Sequence, residues 1–258
     1  MKRLSKRTRN LVFSVVLLLI IAVGVVVAVQ TRKRIEESAF SYEDLFTMKV
    51  RYDEFTLISE YEQPSFDPTA PRYITAGNFN LLKEKITLDD VYDYADLIVK
   101  VKATNDRAFS FQSILTKVVV LEVYKGDQSL KSDEIYVFEW AEIGLLNEVL
   151  SREGYNIMNA EDAYYLFLSR RPMPDGYLYT EKDEKTYLLA NVYLGKYNET
   201  VCPDIELLPS LESLIEWDDF PKYQEVRGWD ILPTSMEHMD FYLSNREKAL
   251  ELLGVGIR

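Results

Sequence analysis

Residues Leu11–Val29, LVFSVVLLLIIAVGVVVAV, form a run of nineteen without a charge or a proline. As a helix rising 1.5 Å per residue it reaches roughly 28 Å, about the thickness of a bilayer's hydrocarbon core. A lone segment can cross lipid only as a helix, because every backbone N–H and C=O must be paired within it. The sequence therefore predicts a transmembrane helix over 11–30, with the lipid bilayer as its partner, after a basic tail over 1–10. Lys2, Arg3, Lys6, Arg7 and Arg9 precede the run, against Arg32, Lys33 and Arg34 behind it. That asymmetry places the N-terminus in the cytoplasm and the remainder outside the cell membrane. A cleaved signal peptide would have a shorter apolar stretch and end in a small-x-small site. Ala22-Val23-Gly24 lies inside the run instead, so the expectation is a retained single-pass anchor.

The first 34 residues hold eight Lys/Arg and no acid. The rest of the chain thus carries 22 basic against 42 acidic side chains, a formal charge of −20. Such a surface repels phosphate backbones, which excludes nucleic acid as a natural partner. Cys202 is the sole cysteine, so no intrachain disulfide can form. His238 is the sole histidine, which excludes a multi-histidine metal centre within one chain. It is read as a surface residue of the last helix. Neither a phosphate-binding glycine loop, a dinucleotide fingerprint nor a calcium loop is present, and the expected cofactor and metal inventory is none.

Beyond the anchor, 31–86 reads as a juxtamembrane stalk and linker. Ile35–Met48 has weak helical amphipathicity, and Lys49–Glu62 is β-rich but poorly alternating. Gln63–Pro71 has three prolines in nine residues, which suits neither helix nor central strand. Thr87 is the expected N-cap of a short helix whose first turn holds Asp89 and Asp90, with Val91, Tyr94 and Ala95 on its buried side. Leu97, Val99, Val101 and Ala103 alternate with Lys100 and Lys102, the period-2 pattern of a half-buried strand. Phe109–Tyr124 reads as one longer strand, with Val119 and Leu121 inward and Glu122 outward, closed by the turn signal Lys125-Gly126-Asp127. Glu134–Trp140 is a third strand, and Ala163–Leu168, apolar at every position, is a strand covered on both faces. Gly176–Thr180 and Thr186–Tyr197 are read as two more, while Ala141–Ala160 reads as helix then loop. From Pro203 on the chain turns helical. Thr234–Leu253 is the expected last helix, with Met236, Met239, Leu243, Leu250 and Leu253 as its apolar stripe and Gly254 as its stop.

The resulting fold class is mainly β (α+β). It comprises a transmembrane helix, a small antiparallel barrel over 87–200 and a helical C-terminal appendage over 201–258. The series Asp93–Val101, Val123–Gly126 and Tyr164–Leu168 resembles a recurring pattern of bacterial surface domains. Its layout is similar to the OB-like barrel of netrin-type and metalloproteinase-inhibitor domains. That resemblance implies an OB-like fold. It does not carry over the inhibitors' mechanism, which needs an N-terminal cysteine and several disulfides that this sequence lacks.

Two functions fit these features. The first is a non-catalytic interaction module, tethered outside the membrane, with a protein partner at the cell surface. The second is an envelope protein that binds or hydrolyses glycan through acidic and aromatic residues. Asp89-Asp90 and Asp93-Asp96 are read as helix-start and solvated residues. Trp217, Asp218, Asp219 and Trp229 are the ligand-binding candidates, since indoles and carboxylates together suit the edge of a sugar or peptide groove. Paired carboxylates cleave glycosides only at a set separation, which a sequence does not give. No catalytic residue is assigned.

Overall fold

The computed structural model describes residues 15, 24, 41–52 and 86–256, apart from 111–112, 145, 152–153, 172, 174–175, 177, 211–213, 215 and 217–218. The expected basic tail, transmembrane helix and most of the stalk lie outside the described residues. Among the described residues no helix is long and apolar enough to cross a membrane. The chain divides into two units, Met1–Ala39 and Phe40–Arg258, and the β strands among the described residues belong to the second.

Helix α1 (Leu88–Tyr94) begins where the sequence places it. The Thr87 hydroxyl accepts the Asp90 N–H at 3.2 Å, and the Asp90 carboxylate accepts the Thr87 N–H at 2.8 Å. This reciprocal pair satisfies two of the donors that a helix start leaves open. Strand β2 (Leu97–Ser110) follows and pairs antiparallel with β3 (Ser113–Lys125). Phe109 belongs to β2, opposite Ile114, so the single strand expected over Phe109–Tyr124 is divided between two paired strands, with Ser110 opposite Ser113. β3 is followed by Gly126, whose φ of 101° and near approach to the Asp96 carbonyl suit only glycine.

β4 (Glu134–Glu139), β7 (Ala163–Arg170) and β8 (Thr186–Leu189) complete a closed ring in the order β2-β3-β4-β8-β7 and back to β2. All these pairings are antiparallel except β4 with β8, which run parallel. The observed class is therefore mainly β, with a five-stranded closed barrel. β9 (Lys196–Asn198) continues along the edge of β7 beyond β8. The span Ala141–Ala160, expected as helix then loop, contains β5 (Ala141–Ile143) and β6 (Val149–Ser151). These form a second sheet with β1 (Val50–Tyr52), in the order β1-β6-β5. The expected strand at Gly176–Thr180 is absent among its described residues. Thr180 instead caps helix α2 (Glu181–Glu184).

Val99, Val101 and Ala103 are fully buried within the barrel, as their alternation predicts. On β3 the expected parity is off by one. Ile114, Val118 and Val120 are buried, while Leu121 is 37 % exposed. Lys100 pairs with Glu122 and Val101 with Val120, which leaves Leu121 unopposed at a bulge. The run Val118–Leu121 is apolar on either parity, so alternation alone does not set its face. β7 is covered on both sides, as expected. Leu166 and Leu168 enter the barrel core, and Tyr165 and Phe167 join an outer cluster beneath α1 and the last helix.

The stalk assignment also changes. Tyr42, Leu45, Met48, Val50 and Tyr52 belong to the main core, together with Tyr223 of helix α3 (Tyr223–Val226). Val50 donates to the Pro221 carbonyl and Tyr223 to that of Met48, which ties residues 41–52 to the C-terminal segment. Only long-range pairing makes so poorly alternating a stretch into a strand.

The last helix, α4 (Met236–Leu252), is capped by Ser235 and followed by Gly254 at φ 67°. Its buried face is His238, Tyr242, Arg246, Ala249 and Leu250, while Met236 is 55 % exposed. The expected apolar stripe holds at Leu250, with Leu243 and Leu253 packed partly buried against the outer cluster, and fails at Met236, while the surface position of His238 is corrected. α4 packs a polar seam because buried carbonyls and an acid await it on the barrel wall.

Candidate functional site

The residues that share the outer face of the barrel are set by its register. Lys100 alternates outward from Val99 and Val101, and its cross-strand neighbours are Glu122 on β3 and Tyr165 on β7. Glu199 follows the end of β9, and its carboxylate meets the Lys100 ammonium at 2.7 Å. Tyr124 donates its hydroxyl to Glu122 Oε2 at 2.7 Å, and its ring centroid stands 6.1 Å from that of Tyr165. Arg246 of α4 reaches in, donating Nε to the Asn198 carbonyl at 3.0 Å and Nη2 to that of Glu199 at 2.6 Å. Together these side chains line a groove of about 430 Å³, with Leu250 and Val255 on its helical wall. That volume lies within the range of small-ligand sites.

Electrostatics hold the groove in one ionic state. Burial alone would lower the Lys100 ammonium, but its hydrogen bond to Glu199 and the neighbouring Glu122 charge outweigh it, and the pKa is raised. Burial first, then the bond to Glu122, raises the Tyr124 phenol, so it is a donor at neutral pH. The groove thus presents two cations, two carboxylates and two phenols.

Behind its floor lies a second polar cluster. Lys196 on β9 is buried, and its Nζ donates to the Asn156 carbonyl and, at 3.3 Å, to that of Asp230. It also sits 4.2 Å from the centre of the Tyr155 ring. Burial lowers the Lys196 ammonium to about 8, against the pull of Glu139 and Asp230. Asp230 is 1 % exposed, and neither of its carboxylate oxygens makes a hydrogen bond among the described residues. Burial pushes its pKa up to about 6. The Lys196 cation opposes that, as do the side chains of Asn198 and Tyr242. These groups, with His238 and Gly154, enclose a cavity of about 20 Å³, room for about one water molecule. At Gly154, φ is 74° and a side chain would collide with the His238 ring, so glycine is required there.

Deeper still, Glu139 projects into the barrel core with Arg107, both side chains fully buried and 2.9 Å apart. The carboxylate also accepts from Thr116, from Tyr155 at 3.1 Å and from the Met158 N–H at 2.6 Å. Arg107 donates in turn to the Met158 carbonyl and stacks on Tyr42. This buried ion pair, bonded on both sides with Arg107 Nε alone left over, is a structural crosslink. The 20 Å³ cavity is too small for more than water, whereas the groove and a hollow of about 440 Å³ lined by Asp133, Tyr136, Glu181, Lys182 and Lys185 are each large enough for a small ligand.

Among the sequence-derived candidates, Trp217 and Asp218 lie outside the described residues. Asp219 is exposed and accepts the Glu216 N–H at 2.9 Å. Trp229 is half-buried against the main core, and its carbonyl accepts from Asn156 at 2.9 Å. Neither residue lines the groove or the cavity. The outward positions of β2 and β3 signal Lys100 and Glu122 in the sequence, but only as solvated residues. Nothing local links them to Glu199 or Arg246. No known protein family has a model that matches the chain, and no curated protein matches it.

Proposed function

We propose that the protein is a non-catalytic binding module of the cell envelope. In this reading residues 11–30 tether it to the membrane, and Phe40–Arg258 faces outward to a surface partner. The observation that carries the reading is the groove between β2, β3, β7, the end of β9 and α4, whose residues come from five separated segments. The ring order, with its one parallel pairing, supports an OB-like barrel and with it the similarity to netrin-type domains.

Two carboxylates in one groove invite a hydrolase, and their environment argues against it. A glycosidase keeps one carboxyl as an acid and frees the other to attack or to activate water. Here Glu122 accepts from Tyr124, and Glu199 is tied to Lys100. Each carboxylate is already engaged by a neighbour within the groove.

The test is photo-crosslinking on intact cells. A photoreactive residue at position 122 should capture a ligand, whereas one at the exposed Lys131 should not. Equal capture at both positions would dismiss the groove as the seat. Added protease should digest Phe40–Arg258 and spare an N-terminal tag. The reverse pattern would invert the topology.

A further inference from the structure

We infer that the groove selects a neutral, hydroxyl-rich ligand, a saccharide, an inference that rests on the reading of the groove as the binding seat. Its charges are balanced, with Lys100 and Arg246 against Glu122 and Glu199, on a unit whose acids far outnumber its bases. An anionic ligand would approach against the field of the whole surface and then meet two carboxylates. A cation would meet an ammonium and a guanidinium.

The hydrogen bonds already formed leave capacity of both kinds. Lys100 uses one ammonium proton on Glu199, Glu122 engages Oε2 alone, and Glu199 engages Oε1 alone. Among the described residues, two further N–H groups of Lys100, Oε1 of Glu122 and Oε2 of Glu199 are thus left for a ligand. A hydroxyl is the small group that donates and accepts at once, so adjacent hydroxyls satisfy both without adding charge. The half-buried Tyr124 ring offers an apolar face to the C–H side of a sugar ring.

A peptide backbone also donates and accepts, and its usual route onto a β protein is to add a strand at an open edge. The outer strand beside the groove, β9, has the Asn198 and Glu199 carbonyls taken by Arg246 of α4. β2 lies between β3 and β7, β3 between β2 and β4, and β7 between β2 on one side and β8 and β9 on the other. The wall that lines the groove thus has its backbone already paired.

The experiment uses the full-length chain in lipid nanodiscs, applied to three panels. These are neutral hexose and N-acetylhexosamine oligosaccharides, the same glycans bearing carboxylate or sulfate, and a peptide library. Hits are titrated against Tyr124→Ala, Lys100→Ala and Glu122→Gln, each first shown to keep the parent's unfolding midpoint. Neutral glycans should be retained, and each variant should weaken them about tenfold, the change expected for one lost contact. No neutral glycan bound at about 1 mM overturns the inference. Charged glycans or peptides bound in a manner that these variants abolish would overturn the ligand class and leave the groove as the seat. Neutral glycans bound equally by parent and all three variants would overturn the groove itself.

Discussion

Replacing Asp230 with asparagine should stabilise the folded protein at neutral pH, although Asp230 is almost completely buried. The carboxyl has an ordinary pKa of 3.8, and burial pushes it up to about 6 in the fold. A raised folded pKa means that the folded state holds the proton more tightly than the unfolded chain. The contribution to stability is then fully present below pH 3.8 and is lost as the pH rises through about 6. A displacement of about two pH units, at 1.36 kcal/mol per unit, amounts to about 3 kcal/mol at pH 7. Asparagine keeps the shape of the protonated acid and carries no charge, so it avoids that loss. Lys196 is still an ammonium at pH 7, since its own pKa falls only to about 8, and its attraction for the carboxylate is already contained in the figure. The assay is denaturant unfolding of parent and Asp230→Asn in parallel from pH 4 to pH 7.5, read as the difference between the two. That difference should be near zero at pH 4 and grow to about 3 kcal/mol in favour of asparagine by pH 7. A variant less stable than the parent at pH 7, or a difference independent of pH, would refute the reasoning.

Glu139→Ala should cost about 3–5 kcal/mol, because it strands the Arg107 guanidinium in the core, whereas Arg107→Met with Glu139→Leu should recover most of the loss. A double-mutant cycle in urea measures this, and additive losses would exclude the ion pair as a coupled unit. On β3, Ile114→Ala should cost about 2–5 kcal/mol and Leu121→Ala only about 0.5 kcal/mol, so equal losses would undo the parity assigned to that strand. A fragment beginning at Phe40 should unfold cooperatively, while one beginning at Thr69 should not, since it lacks Tyr42, Leu45, Met48, Val50 and Tyr52 of the main core. Circular dichroism melts of the two fragments compare them directly, and matching transitions would return residues 41–52 to the stalk.

The sequence by itself settles what is local. Thr87 and Asp90 cap their helix with side chains three residues apart, and Ser235 and Gly254 bracket α4 in the same way. Val99, Val101 and Ala103 declare their face because lysines stand between them, and β7 declares two buried faces by having no polar position from Tyr164 to Leu168. Where a run is apolar on either parity, as at Val118–Leu121, its face comes from pairing with β2 and from the bulge at Leu121. Residues 41–52 read as stalk because their burial depends on β6 and on Pro221 and Tyr223, about 100 and 170 residues further along. The polar groups differ most between the two readings. In sequence Arg107, Glu139, Lys196, Asp230 and His238 resemble any solvated charges, and Trp217, Asp218, Asp219 and Trp229 stand out by proximity alone. Burying a charge is tolerable only when a partner arrives from elsewhere in the chain, and which partner arrives is decided by the closure of the barrel. The groove obeys the same rule, for Lys100, Glu122, Glu199 and Arg246 meet only because β2, β3, β9 and α4 have been brought side by side.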